Sequence, residues 1–164
     1  MKFVSPNAVG FTATIPELNR LICRNLADEY IIYLTTRDYF WNVTGSDLLC
    51  LMFEELNDAS EVRLELFAER ATSGMCGDGW INNSANEAPR LHFSHGMGMP
   101  AEEMVSRIVA LHESAIRLIH ADIESCNSLA QGGTADFLAG IARAHERTTE
   151  LLHKILVVGL ASTR

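Results

Sequence analysis

Apolar residues recur at three- and four-residue spacing along most of this chain, the pattern of helices that each bury one face. After Thr14-Ile15-Pro16-Glu17, a capping sequence with proline in the first turn, they fall at Leu18, Leu21, Ile22, Leu26, Ile31, Leu34 and Phe40. This predicts a first helix from Ile15 to Asn42, broken by Thr44-Gly45-Ser46. A second helix lies between Gly45 and Gly74, with Leu48, Leu49, Met52, Phe53, Leu56, Ala59, Leu66 and Phe67 mostly on one half of its cylinder. A third opens with Pro100-Ala101-Glu102-Glu103, carries Met104, Ile108, Leu111, Ala115, Ile119 and Ile123, and ends at Gly132-Gly133. Thr134 is the expected cap of a fourth, with Asp136 in its first turn and Phe137, Leu138, Ile141, Leu151, Leu152, Ile155 and Leu156 as its stripe. Residues 71–99, rich in Gly, Asn and Ser, read as one long connection, and residues 1–13 as an extended, flexible arm ahead of a single domain at 14–164. The prediction is all-α: a four-helix bundle with one long crossover between its second and third helices.

The second helix has a second pattern. At 100° per residue, with Cys50 as zero, Glu61, Glu54, Glu65, Asp58 and Glu69 fall within about a quarter of the cylinder, opposite most of the apolar residues. Like charges one turn apart repel, so the stripe is settled by water, a cation or a basic partner. Hard oxygen donors at this spacing suit iron, calcium or manganese; a solvated helix face is the simpler alternative.

Composition narrows the classes. The 164 residues suffice for one core, and 48% hydrophobic content argues against disorder. No apolar run approaches the roughly 20 residues that span a bilayer, and the N-terminus does not resemble a secretory signal. The four cysteines are far apart and form no CxxC pair, so reduced thiols in the cytoplasm are expected. A net charge of −8 repels nucleic acid and attracts cations.

Several segments resemble the Dps family of small ferritin-like proteins: LADEYIIYLTTRDYFWNVTG from Leu26 to Gly45, ELFAER from Glu65 to Arg70, PAEEMVSRIVALHESAIRLI from Pro100, and GGTADFLAGIARAHERTTELL from Gly132. The resemblance implies a ferritin-like bundle with a short extra helix in the crossover and assembly into a hollow dodecamer. It also implies oxidation of Fe(II), preferably by hydrogen peroxide, at a site shared across a dimer interface, with storage of the ferric product under oxidative stress. Glu65 and Glu69 match the last two carboxylates of the family's iron site, where they would take the catalytic role. Phe40 replaces its first histidine, and the distance from Trp41 to Glu69 is about two residues short. Counting back from Glu69 puts Cys50 and Glu54 at the remaining ligand positions; counting forward from Trp41 puts Met52 and Leu56 there. The first register is preferred, because it places the deletion in the loop at 44–48, whereas one inside the helix would rotate the apolar face by about 200°. The expected site is Glu54, Glu65 and Glu69, with Cys50 and Asp58 as auxiliary donors, holding iron or another divalent cation loosely. Oxidation should be slower than in the family, since histidine ligands are missing. The alternative is a shell that keeps the fold but not the chemistry, or a DNA-associated structural protein, which would place it with the nucleoid.

Asp136 either stabilises its helix dipole or lines a pore, as acids near this position do in the family. His112 and His145, each followed by Glu, are expected to be structural or surface residues, as are His120 and His153. Met75, Cys76, His92, His95, Met97 and Met99 gather soft donors in the crossover but match no metal spacing, and Trp80 and Phe93 are expected at a subunit contact. The arm holds only Lys2 as a cation, so the protein should not shift plasmid DNA in a gel at neutral pH and moderate salt; a clear shift would contradict this.

Overall fold

The computed structural model describes residues 8–72 and 88–162, with side chains described from 17 to 72 and from 88 to 157. Within them are four helices and no strand: α1 (Ala8–Asn42), α2 (Asp47–Thr72), α3 (Ala101–Ser128) and α4 (Gly132–Ser162). The expected bundle is present. α1 packs on α2, α3 on α4, and α1 against α3.

Two helix starts differ from expectation. α1 begins at Ala8, so residues 8–13 of the expected arm are helical; residues 1–7 lie outside the described ones. Pro16 removes only one backbone donor, which a long helix tolerates at some cost. α4 begins at Gly132, and the backbone N–H groups of Thr134 and Ala135 both donate to the Gln131 carbonyl. Thr134 is thus inside the helix, its hydroxyl accepting from Arg70 Nη2 at 2.9 Å. Asp136 consequently misses the first turn, where a carboxylate gains most from the helix dipole. The expected short helix of the crossover would fall within residues 73–87, outside the described ones.

Besides a small cluster of Ile32, Leu91 and Ala115, the core has two apolar halves. One joins Leu18, Leu21 and Ile22 of α1 to Phe67, Ile119, Leu138 and Ile141. The other joins Tyr39 to Met52, Phe53, Leu56, Met104, Ile108 and Leu152. Between them lies a belt of buried polar groups contributed by all four helices.

The end of the crossover is strapped to α1. Asp28 accepts from the backbone N–H of Arg90 at 2.6 Å and of Leu91 at 3.1 Å, and from Arg90 Nε at 2.7 Å. Arg90 Nη1 reaches Asp122 of α3 at 2.8 Å, and Gly96 N donates to Asp38 at 2.6 Å. Gly96 is where the strap comes closest: an added Cβ would lie 2.8 Å from Tyr39 Cδ1, 3.2 Å from Met104 Cε and 3.3 Å from Asn42 Cβ. Tyr39 is held edge-on against Phe53, with ring centroids 5.9 Å apart, so it has little room to yield. Gly96→Ala should therefore lower stability by about 1–3 kcal/mol. Urea unfolding would show this as a lower midpoint with the same slope; a wild-type midpoint would contradict it.

Candidate functional site

The outward face of α2 carries the predicted acids. Glu54, Asp58, Glu61, Glu65 and Glu69 are all exposed, and Cys50 is half-buried with a free thiol. Met52 and Leu56 are buried in the core. A surface site on α2 therefore has Cys50 and Glu54 available to it, not the residues of the alternative register. Among the described residues, no ion pair engages Glu54, Glu65 or Glu69, and no group of three or more His, Cys, Asp or Glu is gathered to hold a metal within one chain. Any cation held here needs donors from another copy or a rearrangement of these side chains.

The acids have apolar neighbours. Leu48, Leu51, Val62 and Leu66 are exposed at 70%, 54%, 56% and 41%, which takes Leu48 and Leu66 out of the core face assigned to them. At 100° per residue these four lie beside the acidic stripe, about 100° to 160° from Cys50. Exposed leucines and valines gathered on one helix face suit contact with another surface. Next to it, Glu61 and Glu65 border an open groove of about 490 Å³ with Leu26, Tyr30, Tyr33 and Leu64. Tyr30 and Tyr33 stack there, with centroids 6.2 Å apart. Phe40, at the position of the missing histidine, is half-buried, packs on the half of the core that holds Tyr39 and Phe53, and meets Trp41 edge-on at 5.2 Å. Asp136 is exposed on α4.

Among the described residues, the crossover donors form no metal-holding cluster. Met75, Cys76 and Trp80 lie outside the described residues. His92, His95 and Met97 are exposed, Met99 packs on the core, and Phe93 meets the His95 ring at 4.5 Å.

The polar belt is what sequence reasoning missed. Arg63 of α2 is buried, donating from Nε to Glu29 Oε1 of α1 at 2.9 Å and from Nη2 to Ser60 Oγ at 2.8 Å. Glu29 Oε2 lies 3.2 Å from His145 Nε2 of α4, and His145 Nδ1 lies 2.8 Å from His112 Nδ1 of α3. Only one of those two facing nitrogens can carry the hydrogen between them. His112 Nε2 is buried without a partner. The histidines do not pair with the glutamates that follow them in sequence. Glu113 instead meets His153 at 3.4 Å, and Glu146 meets His120 at 3.6 Å, both at the surface. One signal was available: Arg63 falls about 220° from Cys50, on the apolar half of α2, where a cation requires a buried anion.

Burial alone would raise the Glu29 pKa, but the hydrogen bond from His145 and the charge of Arg63 outweigh it, and the carboxyl is held below its ordinary value of 4.5. Burial, with the positive charges of His145 and Arg63, drives His112 well below its ordinary 6.5. In both cases the unfolded chain binds more protons, so stability rises with pH and is lost as pH drops. The loss begins below pH 6.5 as His112 of the unfolded chain charges, at about 1.4 kcal/mol per pH unit for one proton, and steepens below 4.5 as unfolded Glu29 protonates. His112→Asn should flatten the slope just below 6.5 in urea titrations run across pH; an unchanged slope would contradict this assignment.

No protein-family model matches the chain. An uncharacterized low temperature-induced protein of Nostoc sp. is 29% identical over 141 residues, covering 83% of this chain and 78% of that protein. Its homologue from Anabaena variabilis matches to the same extent. Among solved structures, Dps from Thermosynechococcus elongatus aligns with a TM-score of 0.71 at 23% identity, over 88% of this chain and 94% of that one. A Dps protein from Bacillus brevis aligns with a TM-score of 0.75 at 25% identity, over 88% and 97%. The four helices, in this order and with one long crossover, are therefore the ferritin-type fold of the Dps proteins, carried by a divergent sequence.

Proposed function

We propose that this Dps-like protein is a mini-ferritin whose copies meet along the α1–α2 face and hold Fe(II) between them. Glu54, Glu65 and Glu69 of α2 are the ligands, Glu65 and Glu69 the pair beside the reacting iron, and Cys50 and Asp58 auxiliary donors. The observation that carries the reading is the outward face of α2, where carboxylates without an ion-pair partner among the described residues run beside exposed Leu48, Leu51, Val62 and Leu66. An apolar strip of this kind supplies adhesion between copies, and the acids it brings together repel unless a cation joins them. Oxygen donors without imidazole bind Fe(II) loosely and accept other divalent cations as well. Each hydrogen peroxide takes one electron from each of two ferrous ions. The ferric product hydrolyses, releases protons and is kept inside a closed shell, which we take to be a dodecamer in the cytoplasm. Asp136 is a candidate for the pore through which iron enters.

Phe40 favours a second reading, a shell without oxidation chemistry, because an aromatic ring packed on the core occupies the place of an imidazole ligand.

Two measurements test the first reading. After anaerobic Fe(II) loading and peroxide addition, stopped-flow absorbance should show oxidation above the protein-free rate, reduced to background in Glu69→Ala. Fast, stoichiometric turnover would contradict a weakened site, and a background rate in the wild type would favour the second reading. Iron-soaked crystals should show anomalous peaks beside Glu54, Glu65 and Glu69 at a contact between copies; peaks absent there would remove the site.

A further inference from the structure

A second cleft, of about 500 Å³, lies away from the acidic face, between α1, α3 and the strap at 90–94. That volume is within the range of small-molecule sites. Its wall along α3 is largely apolar, formed by Ala110, Leu111 and Leu118, with Leu91 of the strap opposite. On α1, Thr35 and Tyr39 line it one helical turn apart. Both residues are buried, at 1% and 0% exposure; the Thr35 hydroxyl is without a hydrogen-bond partner, and the Tyr39 hydroxyl has only Ser94 of the strap beside it. The Thr35 hydroxyl thus forfeits a hydrogen bond that a buried polar group normally makes.

Three arginines border the cleft in a protein of net charge −8. They are not equivalent. Arg90 is compensated by Asp28 and Asp122, and Arg107 by Glu103, with Nη2 to Oε1 at 2.8 Å. Arg117 meets no carboxylate among the described residues; its Nη2 donates to Ser114 Oγ at 2.8 Å, which turns the guanidinium back along α3 toward the cleft. The cleft thus has at its rim a cation uncompensated among the described residues, an apolar wall, and on α1 a buried hydroxyl that lacks a partner, with the Tyr39 hydroxyl one turn on.

We propose that this cleft binds a small amphipathic carboxylate, its anionic end at Arg117, its apolar body along Leu91, Leu111 and Leu118, and a polar group at the other end bonded to Thr35 and Tyr39. Arg117 supplies a charge-assisted hydrogen bond, the stronger kind. The proposal is independent of the iron reading, since it uses no residue of the α2 stripe.

The test uses the full-length protein in its own oligomeric state, titrated calorimetrically with para-hydroxycinnamate, which combines a carboxylate, a flat apolar body and a distal hydroxyl. Saturable binding is expected. The corresponding amide should bind about tenfold more weakly, and cinnamate, lacking the hydroxyl, several-fold more weakly. Arg117→Gln should erase the preference for acid over amide, a coupling that general destabilisation would not produce. Ala110→Trp, at an exposed position on the wall, should abolish binding while leaving the melting temperature unchanged. Absence of saturable binding up to about 10 mM, or an undiminished acid preference in Arg117→Gln, would overturn the proposal.

Discussion

Glu29 is buried in the middle of the bundle, and the rest of the interior is arranged around the cost of that charge. A carboxylate removed from water is tolerated only with a cation and hydrogen bonds to satisfy it. Arg63 from α2 and His145 from α4 supply them, and His112 completes the path to α3. One charge thereby fixes the axial register of all four helices, because sliding any of them by one turn would leave a buried ion or ring nitrogen without its partner. The two apolar halves on either side supply adhesion, which many registers could provide. The polar belt selects one.

That arrangement separates the inside of the bundle from its α2 surface. Inside, Arg63 already compensates the buried carboxylate. Outside, no cation among the described residues pairs with Glu54, Glu65 or Glu69, and the α2 carboxylates lie beside apolar side chains that water solvates poorly. The stripe and the belt are on one helix, about half a turn apart, so the same periodicity that sends Arg63 inward sends Glu54, Glu65 and Glu69 outward. The proposed chemistry depends on this division.

The strap at 90–96 adds a third surface. Asp28 and Asp38, ten residues apart on α1, hold its backbone N–H groups, and Arg90 extends the clamp to α3. Helices two and three can then be joined by a long crossover without loosening the bundle, because the loop's returning end is bonded like an element of structure. The cleft with the unpartnered Thr35 hydroxyl lies alongside this strap, where the strap and α3 leave a gap over α1.

The four helices, their order, the long crossover and the acidic stripe were legible in the sequence, because each follows from spacing within a single helix or from breakers between helices. The early starts of α1 and α4 were not: Thr14 and Thr134 have the chemistry of caps, but whether a cap ends a helix depends on what the neighbouring backbone can still bond. The exposure of Leu48 and Leu66 was also hidden, since periodicity ranks faces but does not say how wide a strip the other helices cover. Least legible was the pairing of His112 with His145. These residues are 33 positions apart, and each has a glutamate beside it that proximity in sequence would choose. Only the packing of α3 on α4 turns the histidines inward to each other and the glutamates outward to His153 and His120, because neighbours along a helix point about 100° apart while residues on facing helices share one interior.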